Sequence, residues 1–292
     1  MRDFFEGFRN HLLARGLSFG TVENYLGHLK RFLSWVEGAC GSPDPEAVTP
    51  LDVADYRRYL QNRGKKPASV NNALDALGTF FAWAKGAGLV QSDPTEGVKR
   101  LKEQRRPPAW LSRRELGALV RAVQKHGSPK EQALVMLLLH TGLRVSEACA
   151  LRLEDVVIRD RSGHVVVRSG KGGKYREVPL NATVRRILAE YLAAHPGGEW
   201  LFPGGKSFRL LERPMTVRAV EKALARFSRL AGIEQVTPHR LRHTFCKMLV
   251  DAGESLDRVA VLAGHESLNT TARYTGPGKA DLEAAVEKIA WE

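Results

Sequence analysis

Residues 99–108 read KRLKEQRRPP, a basic stretch ending in two prolines, and the apolar residues repeat with a different period on its two sides. A chain that changes period at a polar junction divides into two bodies, one of helices alone and one that must accommodate short strands. With 292 residues, each body has enough chain to bury its own core. Before residue 100 the punctuation is helical throughout. Val22, Tyr25, Leu26, Leu29, Phe32, Leu33 and Val36 share one face behind Thr21. Thr49 reads as an N-cap followed by Pro50 at the first helical position. A further helix, over about 68–85, carries Val70, Leu74, Leu77, Phe80, Phe81 and Ala84 and stops at Gly86 and Gly88.

Beyond the junction, capping boxes at Ser112/Glu115 and Ser128/Glu131 open helices, the second ending at Gly142. Three short β-type runs follow, 156–158, 165–167 and 175–180, with the glycine-rich hairpin SGKGGK between the last two. Helical spacing returns over about 182–194, 216–230, 238–251, 256–263 and 279–290, the last with a stripe of Leu282, Val286 and Ile289. The expected fold class is mainly α with a small antiparallel β-sheet. An all-α domain spans 1–97, a basic linker 98–110 and an α+β domain 111–292.

Lys plus Arg exceeds Asp plus Glu by 13, which favours a polyanionic partner because neutralised phosphates release condensed counterions. Nucleic acid is the first expectation and an anionic membrane surface the second. The longest apolar run, 133–139, is far too short to span a bilayer, and the charged N-terminus has no apolar signal core. Cys40, Cys149 and Cys246 are scattered, so no disulfide framework is expected and a reducing compartment fits. Gly204-Gly205-Lys206-Ser207 resembles the end of a P-loop, but Trp200 stands where that loop needs glycine. His239, His243 and Cys246 lie on one helical face and have the donor types for zinc, yet Met248, Leu249 and Val250 make Cys246 read as core. No metal and no cofactor is expected.

Cations gather instead at the ends of elements. Arg144 follows a helix stop, with Glu147 three residues on; Lys171 sits at the hairpin tip; His239 and Arg242 open a helix behind Thr237 and Pro238. Free N–H groups at that helix start favour an anion. His265 follows Gly264, and Tyr274 comes nine positions later. Singly, each has a duller reading: Arg144 pairs with Glu147, Lys171 is a solvated turn lysine, Tyr274 is an amphipathic surface residue. Together, the segments TGLRVSEACALRLEDV, GKGGKYREVPL, TPHRLRHTFCKMLVDAG and LAGHESLNTTARYT resemble the signature boxes of the tyrosine recombinase (phage integrase) family, most like its Xer-type members. The resemblance covers the whole second domain, and the N-terminal helices are similar to the family's core-binding domain.

The resemblance implies a site-specific recombinase that cuts and rejoins DNA through a 3′-phosphotyrosine. Arg144 and Arg242 would grip the scissile phosphate, with His239 and His265 on its oxygens and His239 a candidate base. Tyr274 would be the nucleophile and Lys171, rather than Lys174 on the same hairpin, the general acid. Glu147 would buttress the arginine. The covalent product conserves bond energy, so ATP is not called for. Neighbouring positive charge is expected to favour the Tyr274 phenolate.

The implied partner is double-stranded DNA carrying a specific recombination site, held in a clamp. Lys65, Lys66, Lys99, Arg100, Arg105 and Arg106 are candidates for the DNA backbone, and Ser69, Asn71 and Asn72 for bases. A homotetramer is expected on DNA and a monomer or dimer off it, in the cytoplasm with the nucleoid. The tail stripe, with Trp291, would dock on a neighbouring protomer; packing in cis is the alternative. The residues after Tyr274, TGPGKADLEAAVEKIAWE, depart from the usual Xer tail, which leaves mobile-element integration open beside chromosome-dimer resolution. An arm-binding phage architecture is not expected. Two other readings are a type IB topoisomerase-like enzyme and a non-catalytic DNA-binding protein on the same scaffold.

Overall fold

The computed structural model describes residues 2–41, 44–103, 109–168, 175–205, 207–265, 267–276, 286–288 and 290. The chain divides into two units, Met1–Arg105 and Arg106–Glu292, each with its own apolar core.

The first unit is four helices: α1 (Arg2–Ala14), α2 (Phe19–Cys40), α3 (Pro50–Asn62) and α4 (Pro67–Gly86). Helix α2 starts earlier than Thr21 suggests. Ser18 is the N-cap, and its hydroxyl accepts the Thr21 N–H at 3.3 Å. Two hydroxyls spaced i, i+3 both suit the cap, and the one with extended backbone takes it. Gly41, at φ 77°, ends the helix in the left-handed region. Thr49 and Asp52 close a capping box on α3, with Pro50 at its first position. Aromatic rings lock the helices together: Phe8 meets Phe80 edge-on at 5.2 Å, and Phe32 meets both Tyr56 at 5.1 Å and Phe81 at 6.3 Å.

The start of the expected linker is part of this unit. Val98 and Leu101 pack on the helical core. Asn71, 1% exposed, accepts the Leu101 N–H at 2.8 Å and donates to the Leu101 carbonyl at 2.9 Å and to Glu103 Oε1 at 2.6 Å. Arg57 donates to the Lys99 carbonyl at 2.8 Å, and Arg100 pairs with Asp75 at 3.0 Å. Backbone polar groups of a segment without a strand neighbour need other partners, and the Asn71 amide supplies both a donor and an acceptor. The expectation that Asn71 reads bases is therefore corrected, because its side chain is spent inside the unit. Lys65, Lys66, Ser69, Asn72, Lys99 and Arg100 are exposed. Arg105 and Arg106 lie outside the described residues.

In the second unit, α5 (Arg113–His126) and α6 (Pro129–Thr141) open on the two capping boxes read from sequence. Residues 133–139 of α6 are all buried. A helix apolar all round belongs at the centre of a body, and α6 packs against two later helices, Ala182–Ala193 and Pro238–Asp251. No described helix is long and apolar enough to cross a membrane. After α7 (Val145–Cys149) come β1 (Val156–Ile158), β2 (Gly163–Val167) and β3 (Arg176–Pro179), antiparallel in the order β1-β2-β3. Strand β2 starts at Gly163 rather than Val165 because Gly163 and His164 pair with Ile158 and Val157. Helices complete the unit: α8 (Ala182–Ala193), α9 (Phe208–Leu211), α10 (Val217–Ala231), α11 (Pro238–Asp251), α12 (Leu256–Ala263) and α13 (Leu268–Thr271), then a 3-10 turn, Ala272–Tyr274. The hairpin 169–174 and most of the tail helix expected over 279–290 lie outside the described residues.

Replacing Asn71 with Ala removes all the hydrogen bonds that tie residues 101 and 103 to α4. The expected cost is about 1–3 kcal/mol, together with faster tryptic cleavage at Lys99, Arg100 and Lys102. A tryptic time course matching that of the wild type would contradict the tie.

Candidate active site

One turn fixes two arginines. Helix α6 stops at Gly142, whose φ of 61° is left-handed and whose site has no room for a Cβ, since one would fall 2.3 Å from Phe245 Cδ1. The chain reversal places Arg144 at the N-cap of α7. The Gly142 carbonyl accepts Arg242 Nη1 at 2.5 Å. Helix α11, capped by the Thr237 hydroxyl and begun by Pro238, carries His239, Arg242, His243 and Cys246 along adjacent turns. Helix α12 ends at Gly264, φ 66°. The Gly264 carbonyl accepts Arg144 Nη2 at 2.7 Å. His265 follows directly, its Nδ1 2.9 Å from Thr271 Oγ1.

Glu147 is the carboxylate of this region, its side chain 3% exposed. It accepts the Arg144 N–H at 2.8 Å, Arg144 Nη1 at 2.8 Å, and Arg176 Nη1 and Nη2 at 3.1 and 2.7 Å. Burial alone would raise its pKa; hydrogen bonds from Arg176 and Arg144 outweigh burial and hold it below the usual carboxylate range. Arg176 was not among the residues singled out from sequence. Its signal lies in strand alternation: Arg176 shares the inward face of β3 with buried Val178, and a cation on that face needs a partner. Arg176 Nε is buried with no hydrogen-bond partner among the described residues.

Tyr274 is 1% exposed and packs with Phe245, Cys246, Val259 and Ala263. Its hydroxyl lies 2.5 Å from His243 Nδ1. The His243 ring is 5.6 Å from the Tyr274 ring, and His265 lies nearly parallel to it at 6.3 Å. His239 stacks on His243 at 6.5 Å. Burial drives the Tyr274 phenol well above its ordinary pKa and the Cys246 thiol adds to this; Arg242 and Arg273 pull the other way and lose. The expectation that nearby cations favour phenolate is thus corrected, since desolvation is the larger effect. Burial, then His239, Arg242 and Arg273, push His243 down to about 4. Burial, then Arg242 and Arg144, push His265 down to about 4. Burial also lifts the Cys246 thiol to about 11, and this fully buried side chain belongs to the core, not to a zinc face.

Arg144, His239, Arg242, His265 and Tyr274 are therefore gathered in one region. Lys171 and Lys174 lie outside the described residues. Sequence reasoning had weighed His243 only as a zinc donor, although its i, i+4 spacing from His239 puts it on the same face.

Arginines, histidines and one buried tyrosine in a helical body with a small sheet, preceded by a four-helix unit, are the build of a tyrosine recombinase. Residues 109–280 match the phage integrase family, and residues 4–89 match the phage integrase N-terminal SAM-like domain. The chain is 32% identical over 284 residues to tyrosine recombinase XerA of Thermococcus kodakarensis, covering 97% of this chain and 94% of that one. It is 26% identical over 289 residues to TnP I resolvase of Bacillus thuringiensis, covering 98% and 100%. Among solved structures it shares the fold of the XerH site-specific recombinase bound to a palindromic difH substrate in a post-cleavage complex, with a TM-score of 0.77, 23% identity and coverage of 94% and 81%. The chain belongs to the phage integrase family and is a Xer-like tyrosine recombinase.

The depressed histidines set a pH window for stability. His243 and His265 titrate near 6.5 when unfolded and near 4 when folded, so the unfolded chain binds the extra protons between those values. Stability is full above about 6.5 and falls as pH drops. Glu147, held below its ordinary 4.5, adds its own loss only at lower pH. Calorimetry should give a Tm for the second unit that is level above about pH 7 and declines from about 6.5 to 4.5. A level Tm down to about 4.5 would contradict the neutral, buried state of these rings.

Proposed function

We propose that this chain cuts and rejoins double-stranded DNA at a specific site through a 3′-phosphotyrosine formed on Tyr274. One observation carries the reading. Arg144, Arg176 and Arg242 converge on a region where Glu147 is the buried carboxylate they share among the described residues, and Tyr274 stands in the field of Arg242. A part-buried excess of guanidinium charge calls for an anion, and planar donors suit a phosphodiester. Arg144 and Arg242 grip the scissile phosphate. His239 and His265 contribute at its non-bridging oxygens, where negative charge grows as Tyr274 attacks; each such donor is worth about 10²–10³ in rate. Lys171 protonates the departing 5′-oxygen. The phosphotyrosine keeps the ester bond energy, so a 5′-hydroxyl from another strand reverses the step.

Lys65, Lys66, Ser69, Asn72, Lys99 and Arg100 contact the duplex, joined by Arg105 and Arg106. The working assembly is a homotetramer on DNA, formed in the cytoplasm on the nucleoid. It is linked by tails 279–292 that dock in trans. The receiving surface is the apolar groove of about 340 Å³ in the second unit, lined by Val178, Leu180, Phe245, Met248, Leu249 and Leu262. Val286 of the tail stripe is 66% exposed; Leu282, Ile289 and Trp291 lie outside the described residues.

Covalent capture from a library of randomised duplexes by the wild-type chain supplies a substrate, which is then rebuilt with a nick beside the cleavage position. Tyr274→Phe should bind this DNA with unchanged affinity and trap no adduct. An adduct surviving in that variant would place the nucleophile elsewhere. A chain ending at residue 278 should bind a single site and fail to complete strand exchange; full exchange by the truncated chain would exclude tail docking.

A further inference from the structure

The phenol of Tyr274 is held where it resists ionisation, so its proton needs an acceptor within reach of the hydroxyl. We propose that His243 is that acceptor: a catalytic residue that takes the Tyr274 proton at Nδ1 as the hydroxyl attacks phosphorus. The inference rests on Tyr274 being the nucleophile.

The geometry singles His243 out. Its Nδ1 is 2.5 Å from the hydroxyl, a short direct contact with no room for an intervening group. The phenol hydroxyl also hydrogen-bonds the Cys246 thiol, and the other groups around it are poorer acceptors of its proton. His265 Nδ1 is bonded to Thr271. His239 stands behind His243 at 6.5 Å between rings, and among the described residues the ring nitrogen on the phenol is that of His243. Cys246 carries its proton at any working pH, its thiol lying near 11, and so cannot receive another. Arg242 and Arg273 are cations that stay charged. A neutral His243 with its proton on Nε2 leaves the Nδ1 lone pair facing the phenol O–H.

The step balances. The Tyr274 O–H bond breaks and an N–H bond forms at His243. The tyrosine oxygen bonds to phosphorus while the bond from phosphorus to the 5′-oxygen breaks. The departing oxygen takes a proton from the general acid, Lys171 in the proposed function. On rejoining, the incoming 5′-hydroxyl returns a proton to that acid and the His243 imidazolium returns its own to tyrosine, restoring both groups. The groups that face His243 are His239, Arg242 and Cys246 on α11, Arg273 and Tyr274 on the 3-10 turn, and His265 after α12. The cations among them oppose imidazolium in the free protein. A phosphodiester seated on Arg144 and Arg242 brings negative charge that offsets them, so transfer is coupled to bound substrate.

The test is single-turnover adduct formation on the captured nicked duplex, made with an ordinary phosphodiester and with a bridging 5′-phosphorothiolate, whose sulfur leaves without protonation. His243→Asn keeps an acceptor near the Nδ1 position but cannot take a proton. It should slow adduct formation about 10²–10⁴-fold on both substrates alike. On the phosphorothiolate its rate should climb about tenfold per pH unit from about 7 to 9, as the phenol ionises unaided, while the wild type stays level. His243→Gln, with DNA affinity and Tm as folding controls, covers the case in which the asparagine variant misfolds. Wild-type or faster rates in either folded variant would reduce the contact to a resting latch and overturn the proposal. Rescue by the phosphorothiolate alone would move His243 to the leaving group and overturn it equally. Tyr274→Phe keeps the two readings apart: an adduct in that variant sinks the nucleophile assignment, whereas no adduct there with a normal His243→Asn rate sinks only this one.

Discussion

Glu147 receives four hydrogen bonds from two arginines on different elements, Arg144 at the start of α7 and Arg176 on β3. Arg144 reaches on to the Gly264 carbonyl at the end of α12, and Arg242 of α11 is held by the carbonyl of Gly142, two residues before Arg144. One buried carboxylate thus coordinates a turn, a strand and, through its first arginine, a second helix end. Removing a single partner from such a cluster leaves uncompensated buried charge, which costs far more than a surface ion pair contributes. The arrangement also explains why the positive groups stay together without a substrate. Their mutual repulsion, felt by Arg242 as a lowered pKa second only to burial, is offset by the carboxylate and by carbonyl dipoles at helix ends.

Burial of Tyr274 works against its reactivity in the free protein. A phenol at 1% exposure, with its pKa driven up by desolvation, is a poor nucleophile toward any passing ester. The same low dielectric makes each nearby charge count for more once a phosphate arrives. A site of this kind is inert until its anion is present, because the substrate itself supplies the charge that the pocket lacks. In the proposed function, specificity and chemistry share one requirement: DNA must be bound closely enough to bring a phosphodiester onto the arginines.

Much of this was legible in the sequence where local rules decide. Helix α11 begins where Thr237-Pro238 say it should and α12 ends at Gly264, because caps act within a few residues. His239 and Arg242 were singled out by the resemblance to the family, while helical spacing fixed which side chains of α11 share a face. What escaped depends on contacts distant in sequence. Asn71 looked like a surface residue at a helix start, yet it is consumed by Leu101 and Glu103, thirty or so positions away. Strand β2 gained Gly163 and His164 from its pairing with β1, not from their own propensity. Arg176 was not singled out, because its partner Glu147 stands 29 positions away in sequence. The Tyr274 phenol was read from the charges around it, and desolvation, which sequence does not display, reversed the sign.

The titratable groups of the site divide the chemistry between them. Guanidinium groups are donors that carry fixed charge, so the arginines supply the anion-binding part of the pocket. The imidazoles of His243 and His265, pushed to about 4, are neutral at physiological pH, so they add no repulsion to a region already rich in cations. Were they charged, two more positive groups would sit beside Arg242 and the buried carboxylate would be heavily outnumbered. Keeping them neutral leaves lone pairs free for hydrogen bonds and proton transfer, tasks that arginine cannot perform. In the proposed function, anchoring the phosphate and handling protons thereby fall to different residue types, and burial is the physical agent that separates them.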